Sequence, residues 1–262
     1  MNSLGFDKKE SDTKVIVAMS GGVDSSVAAV KLKKEGYDVT GVTLRLYNQV
    51  NTSKSKSCCA GIDINDAKKV AKQYNFSHLV LDYQEKFYDG VISNFIDSYA
   101  NGETPVPCIQ CNQTVKFTDL LEESKKLNAD ALVTGHYAIR RGGLKGSKLF
   151  KAKDTSKDQS YFLFATLQDQ LDYVRFPLGE YLKTEIRQMA EEFKLTVSDK
   201  PDSQDICFVT SDSYRDLINK IQPDINIEGN IFDVNGNKIG THKGIANYTI
   251  GQRKGIGIGG QE

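Results

Sequence analysis

The feature that most constrains the fold is a short run, KVIVAM over residues 14–19, that ends in Ser20-Gly21-Gly22 and passes directly into a helical pattern. A β-branched run without polar alternation is the signature of a strand buried on both faces. Val27, Val30 and Leu32 then recur at helical spacing until Gly36 stops the pattern. Residues 38–46, DVTGVTLRL, follow as a second strand. Strand, helix and strand in succession fold as a right-handed parallel unit. The rhythm returns twice, as a helix over 63–74 before the strand HLVLDY and a helix over 117–127 before the strand ALVTGHY. The fold class this predicts is α/β, an open, doubly wound parallel sheet.

Two loops break the rhythm. One, 47–62, holds Cys58 and Cys59, for which a structural loop role is expected; the other, 101–112, carries prolines and ends in Cys108-Ile109-Gln110-Cys111. Loops longer than a connection requires carry function or are disordered. From about residue 161 the pattern turns mostly helical, through FATLQDQL and TEIRQMAEEF. After about 216 it changes to short strands with Asn-Gly and Gly-rich turns, as in FDVNGNKIG. These shifts predict a flexible segment over 1–13, a main α/β domain over 14–212 with a helical extension from about 161, and a small β-rich domain over 218–262.

Lys and Arg total 34 and Asp and Glu total 34, so the formal net charge is zero. That balance excludes a generic polyanion binder whose whole surface is basic, and leaves room for one basic face. Basic residues gather at Lys54 and Lys56, at Arg140-Arg141, from Lys145 to Lys153, and at Arg253-Lys254. Such runs are ordinarily solvated faces, and with Tyr137, Tyr161 and Phe162 as neighbours they also suit gripping a backbone and stacking a base. No stretch approaches the roughly 20 apolar residues that cross a bilayer, and the polar N-terminus lacks the apolar core of a secretory signal. No membrane partner and a cytoplasmic address are therefore expected. Five cysteines, an odd number, fit a closed disulfide framework poorly. They are candidates for core residues, metal ligands or reactive thiols.

The loop itself, Ala18-Met19-Ser20-Gly21-Gly22-Val23-Asp24-Ser25-Ser26, leaves a strand and opens a helix. Glycines let backbone N–H groups approach a phosphate, and the helix N-terminus adds its positive end. Ser20, Ser25 and Ser26 supply hydroxyl donors, while Asp24 suits a helix cap or a hold on a magnesium ion. A bare Gly-Gly would be an ordinary strand-to-helix turn. SGGVDSS matches instead the pyrophosphatase loop of enzymes that cleave ATP to AMP and pyrophosphate, and G-x-x-x-x-G-K-[ST] is absent. The loop alone leaves adenylating ligases, amidotransferases and RNA-modifying enzymes open.

Cys108 and Cys111 form a C-x-x-C, and Cys207 stands far off in KPDSQDICFV. Three readings compete: incidental buried thiols, a metal or iron–sulfur half-site, and a reactive set in which one thiol carries sulfur and another resolves the intermediate. No second C-x-x-C completes a four-cysteine zinc site, which weakens the structural-metal reading, and no metal site is expected.

Taken in order, AMSGGVDSS, TPVPCIQCNQTVKF, TGHYA, KDQSYFL, KPDSQDICF and YTIGQRKGIGIGG resemble the tRNA-specific 2-thiouridylase family from about residue 14 onward. The resemblance implies a pyrophosphatase-loop catalytic domain and a sulfurtransferase reaction. ATP adenylates the C2 oxygen of a tRNA wobble uridine, and a cysteine persulfide then delivers sulfur to that carbon, giving 2-thiouridine, AMP and pyrophosphate. It implies ATP contacts at Ala18, Met19, Ser20, Gly21, Gly22, Val23, Asp24 and Ser25, with Leu44 near the adenine and Gly135 at a later strand end. Cys111 aligns with the family's nucleophilic cysteine and Cys207 with the bearer of the persulfide, so turnover leaves a Cys111–Cys207 disulfide. Contacts to tRNA fall on Val106, Pro107, Cys108, His136, Lys157, Asp158 and Gln159. For Asp158 the bland alternative is a loop cap, and for His136 a core histidine. The implied partners are tRNAs reading Lys, Glu and Gln codons and a protein that donates persulfide sulfur, with ATP and Mg2+ as cofactors.

The sequence departs from that pattern twice. Val106-Pro107-Cys108 stands where many members show Asn-Pro-Asp, whose Asp is proposed as an acid/base. The change creates a three-thiol set, Cys108, Cys111 and Cys207, that suits an iron–sulfur cluster with one open iron. Members normally continue into a further β-barrel after GIGIGG, so a shortened chain is expected. The rival functions are a pyrophosphatase-loop ligase or amidotransferase acting on a small molecule, and a sulfur-relay protein that only binds ATP and tRNA.

Overall fold

A computed structural model describes residues 1–47, 59–202, 206–209 and 213–258, with only the backbone of Cys59 and Ala60. The expectation for Cys58 and for the Cys59 side chain, and the basic pair Lys54 and Lys56, lie outside the described residues. The chain divides into two compact units, Met1–Phe87 with Cys108–Gln204, and Tyr88–Pro107 with Asp205–Glu262.

In chain order the elements are β1 (Lys14–Ala18), α1 (Val23–Glu35), β2 (Asp38–Arg45), α2 (Cys59–Gln73), β3 (Ser77–Asp82), α3 (Gln84–Phe87) and α4 (Ser93–Ala100). Then come α5 (Pro107–Cys111), a π-helix over Asn112–Leu120, α6 (Leu121–Lys126), β4 (Ala131–Val133), β5 (Ala138–Arg141) and β6 (Lys148–Lys151). The last are α7 (Gln168–Tyr173), β7 (Val174–Arg175), α8 (Lys183–Glu192), α9 (Tyr214–Ile221), β8 (Gly229–Phe232) and β9 (Lys238–His242).

The first unit is built on a five-stranded sheet in the order β3-β2-β1-β4-β7, with every pairing parallel. Val15, Ile16 and Val17 of the central strand β1 are completely buried, as its unbroken apolar run requires. Val15 and Val17 meet Val27 and Val30 of α1, Val70 of α2 and Ile186 of α8 in one core layer. Ile16 belongs to the opposite layer, with Phe117, Leu120, Leu132 and Leu171. Helices thus cover both faces, which is the doubly wound class. The connections run outward from β1 to β3 on one side and through β4 to β7 on the other, so strand order reverses between β1 and β4. Ligands of open α/β sheets bind at such a switch point, beyond the carboxyl ends of the strands.

Three departures from the sequence expectation have physical causes. Residues 1–13, expected to be flexible, are held: Leu4 is buried, its carbonyl accepts from Arg175 Nε at 2.8 Å, and the Arg175 guanidinium lies 4.5 Å from the Phe6 ring centroid. The stretch beyond 161, expected to be mostly helical, also supplies the sheet's edge strand β7, whose two residues are too few to show periodicity. The ALVTGHY strand ends at Val133, and β5 and β6 form an antiparallel hairpin the sequence did not signal.

Beyond the stretch Asp205–Glu262, the second unit takes in the earlier stretch Tyr88–Pro107. Its aromatic residues explain why. Phe95 and Tyr99 of α4 meet Phe208 edge-on at 5.3 Å and Tyr214 stacked at 4.5 Å, and Thr104 Oγ1 accepts from the Ile250 N–H at 2.9 Å. Beside α9 it carries the antiparallel hairpin β8–β9. Asp233 closes that hairpin by accepting from the N–H groups of Asn235 and Asn237, both at 2.8 Å. Among the described residues no helix is long and apolar enough to cross a membrane.

Candidate active site

The loop after β1 reaches the switch point with its backbone fixed by neighbours. The Met19 N–H donates to the Val42 carbonyl at 2.8 Å, and Gly21 takes a φ of +75°, a left-handed conformation that favours glycine. A side chain there would also strike backbone, since a Cβ would lie 2.3 Å from the Asp63 carbonyl oxygen. Ser25 Oγ accepts from the Ser20 N–H at 3.1 Å and lies 3.3 Å from Ser20 Oγ, while Ser26 Oγ donates to the Gly22 carbonyl at 2.8 Å. Gly22 caps α1 without a side chain. Gly135 follows β4, and a Cβ on it would come 2.9 Å from the Ser25 nitrogen. The two strand ends therefore bring backbone against backbone where a phosphate would meet N–H groups. Ala18 and Leu44 are half-buried, and Met19, Val23 and Ser25 buried, around this loop.

Charged side chains converge on the loop from elsewhere in the chain. Lys183 Nζ donates to Asp24 Oδ1 at 2.7 Å and Oδ2 at 2.8 Å, and pairs with Asp202 Oδ1 at 2.9 Å. The Tyr137 hydroxyl donates to Asp24 Oδ1 at 2.7 Å. Burial, and next the Asp24 charge, push the Tyr137 phenol far above its ordinary range, so it stays a donor. Asp202 also accepts from Lys157 Nζ at 2.9 Å and Arg187 Nη2 at 2.8 Å. Burial disfavours its charge, yet the hydrogen bonds from Lys183 and Lys157 outweigh that and hold the carboxyl far below the usual carboxylate range. On the other side of the loop, Lys200 Nζ donates to the Gly21 carbonyl at 2.9 Å, Asp63 at 2.6 Å and Asp66 at 3.0 Å. Lys183, Arg187, Lys200 and Asp202 were not singled out from sequence. Their partners stand up to 179 residues away, as Lys200 does from Gly21, so no local spacing marks them.

The expected magnesium role of Asp24 finds its carboxylate already taken by Lys183 and Tyr137. Among the described residues no three His, Cys, Asp or Glu gather as a metal site. A magnesium ion bound with ATP would therefore compete with Lys183 and Tyr137 for the Asp24 carboxylate.

The two neighbouring thiols differ sharply. Cys108 is exposed and Cys111 buried, on the same short helix α5. Burial raises the Cys111 thiol pKa, with the Lys116 charge opposing it. Cys111 and Cys108 fall in the first unit, and Cys207, also exposed, in the second. Val106 and Pro107, at the end of the second unit's first stretch, are exposed and buried respectively.

The remaining positions expected to touch tRNA are engaged within their own unit. Asp158 caps its loop, accepting from the Ala152 N–H at 2.8 Å and Ser160 Oγ at 2.7 Å. Gln159 Oε1 accepts from the Tyr137 N–H at 2.9 Å, and Lys157 is held by Asp202. His136 lies edge-on to Phe117 and Phe176, with Nδ1 2.7 Å from Thr134 Oγ1. Burial, and next Lys116, drive its pKa well below the ordinary value, so the ring is neutral. Tyr137, considered for stacking a base, is buried, whereas Tyr161 and Phe164 are exposed.

A parallel sheet of this order, with Ser-Gly-Gly-x-Asp-Ser opening a helix at the switch point, defines an α/β nucleotide-binding domain of pyrophosphatase-loop type. Family models described as the tRNA methyl transferase HUP domain and the tRNA methyl transferase PRC-barrel domain match residues 13–211 and 215–262. The chain is 55% identical to the tRNA-specific 2-thiouridylase MnmA of Bradyrhizobium sp. strain BTAi1, over 98% of this chain and 66% of that one. It is 53% identical to the enzyme of that name from Rhodospirillum centenum, over 100% and 67%, and 54% to that from Dinoroseobacter shibae, over 100% and 69%. The chain belongs to the tRNA-specific 2-thiouridylase family, and it spans about two thirds of the length of these curated relatives.

Proposed function

We propose that the chain is an ATP-dependent tRNA sulfurtransferase that makes 2-thiouridine at the wobble position of cytoplasmic tRNAs reading Lys, Glu and Gln codons. The observation that carries the reading is the loop Ser20–Ser25 at the switch point, with Gly135 packed against it, in a chain 55% identical to a 2-thiouridylase. Sulfur transfer uses the loop and the thiols together; methyl transfer, named in the family models' description, has no need of ATP cleavage to AMP.

In the proposed sequence, uridine O2 attacks the α-phosphorus of ATP, the bond to the bridging oxygen breaks, and pyrophosphate leaves. The outer sulfur of a Cys207 persulfide, supplied by a donor protein, adds to C2, and AMP departs from that carbon with the bonding pair. The Cys111 thiolate then attacks Cys207 Sγ. The S–S bond breaks, its electron pair stays with the sulfur on C2, and a Cys111–Cys207 disulfide forms. A dithiol reductant returns both thiols. Lys116, whose charge opposes the burial effect on Cys111, is the group at hand to favour the thiolate. Magnesium, when bound with ATP, would neutralise phosphate charge; no protein-built cage is ascribed to it. Val106, Pro107, Cys108, His136, Lys157, Asp158 and Gln159 are proposed to border the tRNA, several by shaping the loop that meets it.

The test incubates the chain with ATP, magnesium, unmodified tRNA reading Lys codons and a small-molecule persulfide. Pyrophosphate release and 2-thiouridine in the nucleoside digest are followed together. Both should depend on tRNA, and Cys111→Ser and Cys207→Ser should lose the thionucleoside. Pyrophosphate release without tRNA, unchanged in the double variant, would point instead to adenylation of a small molecule.

A further inference from the structure

One thiol has no part in the sulfur transfer set out above, yet it stands one helical turn from a thiol that does. Cys108 and Cys111 lie on α5, three residues apart, and in the same compact unit. Cys108 is exposed, whereas Cys111 is 8% exposed. We propose that Cys108 is the resolving thiol of the reaction, which takes the disulfide over from Cys207 and leaves a Cys108–Cys111 bond. The proposal rests on the sulfurtransferase reading of this chain and deepens it.

The step balances without a further reactant. Sulfur transfer leaves Cys111 joined to Cys207. Cys108 gives its proton to solvent, and its thiolate attacks Cys111 Sγ. The Cys111–Cys207 bond breaks, its electron pair goes to Cys207 Sγ, and Cys207 takes a proton from water. One disulfide replaces another, so nothing is oxidised or reduced overall. Cys207 is a thiol again, ready for the next persulfide, before any reductant has acted. A dithiol reductant then attacks Cys108 Sγ, and Cys111 leaves with the bonding pair. The second thiolate of the reductant displaces Cys108, and the reductant departs as its own disulfide, having given two electrons.

Geometry and exposure set the direction of this exchange. Side chains three apart on a helix have Cβ atoms about 5–6 Å apart, and a disulfide needs about 3.5–4.5 Å, so closure asks for a shift of roughly 1–2 Å. Cys108 is the second residue of α5, after Pro107, and the N–H groups of a first turn have no partner inside their helix. Its movement therefore breaks no helical donor bond. After burial and the Lys116 charge, the Cys108 charge is the next influence on the Cys111 thiol, which places the two sulfurs near each other. Attack on Cys207 Sγ would expel Cys111 as a buried thiolate, a charge that burial disfavours. Attack on Cys111 Sγ expels Cys207, which is exposed, so water can solvate its charge.

Two measurements test the proposal. In the first, the intact chain is equilibrated in a glutathione redox buffer, quenched in acid, alkylated and mapped by peptide mass spectrometry. Oxidised chains should carry Cys108 bridged to Cys111 with Cys207 alkylated, and Cys207→Ser should form the same bridge. A Cys111–Cys207 bridge in its place, or iron held by the three thiols in the anaerobically purified chain, would overturn the proposal. In the second, 2-thiouridine formation from ATP, unmodified tRNA and a small-molecule persulfide is followed at limiting dithiol through the first turnover and beyond. In Cys108→Ser the steady rate, taken against that variant's own first-turnover burst, should fall about tenfold or more below the parent's ratio, because an intramolecular thiol is replaced by a dilute one. The Cys111–Cys207 disulfide should accumulate in the same samples. A thiol that only borders the tRNA would lower burst and steady rate together, and an unchanged ratio would likewise overturn the proposal. No thionucleoside from the parent chain would instead remove the sulfurtransferase reading on which it stands.

Discussion

Replacing Gly21 by Ala asks whether the loop is held against Asp63 as the structure has it. Two effects add. The φ of +75° strains any residue with a Cβ, by roughly 1–2 kcal/mol. The new methyl would also sit 2.3 Å from the Asp63 carbonyl oxygen and 2.6 Å from its Cα, and backbone cannot swing away as a side-chain tip can. Overpacking of this kind costs about 1–3 kcal/mol. Gly21→Ala should therefore destabilise the first unit by about 2–5 kcal/mol, which for a domain of this size lowers Tm by roughly 5–15 °C. The adjacent residue is the control. Gly22 has a φ of −89°, and a Cβ on it would meet only Ser20 Oγ, at 3.5 Å. Gly22→Ala should lose about 1 kcal/mol or less, through a poorer helix cap. Thermal unfolding followed by circular dichroism measures both. Equal Tm values for the two variants, or a Gly21→Ala protein within about 2 °C of the parent, would refute the described approach of the loop to Asp63.

Three further outcomes follow from the same structure. Iodoacetamide at neutral pH should label Cys108 well before Cys111, read by peptide mass spectrometry, because Cys108 is exposed while burial raises the Cys111 pKa. The His136 pKa is depressed in the folded state, so below the ordinary value of 6.5 the unfolded chain binds more protons. Its contribution is full above that pH and declines as pH falls towards the folded pKa; the parent should lose about 1 kcal/mol more than His136→Phe between pH 7.5 and 5.5 in urea titrations. Arg175→Met removes the donors that hold the Leu4, Asp172 and Val174 carbonyls, so the N-terminal residues should become sensitive to limited proteolysis, with a stability loss of about 2–4 kcal/mol.

The α/β class, the phosphate loop and its place between β1 and α1 were legible because each rests on neighbours in the chain. Val15, Ile16 and Val17 announce a buried strand by type alone, and Ser20 to Ser25 announce a phosphate loop by their order. Gly36 marks the end of α1 as a left-handed cap, with φ of 101°. Elements defined by pairing across long distances were not legible. β7 is a strand only because Leu132 and Val133 align with Val174 and Arg175. The stretch 88–107 joins the second unit only because Phe95 and Tyr99 find Phe208 and Tyr214.

The same division runs through the site. Sequence by itself determined which residue types are available: a Ser- and Gly-rich loop between a strand and a helix, three separated thiols, a histidine and an aspartate. Tertiary structure decided their states. His136 is neutral because aromatic rings exclude water from it, Cys111 is a protected thiol because its helix buries it, and Asp158 spends its oxygens on its own loop. Lys183 acquires its place only when α8 sets its ammonium between Asp24 and Asp202, 159 residues apart from the first in the chain. The physical reason is one of range. Backbone conformation follows residue type and near neighbours, whereas charge state and contact depend on distances and solvent exclusion that exist only once the sheet has assembled.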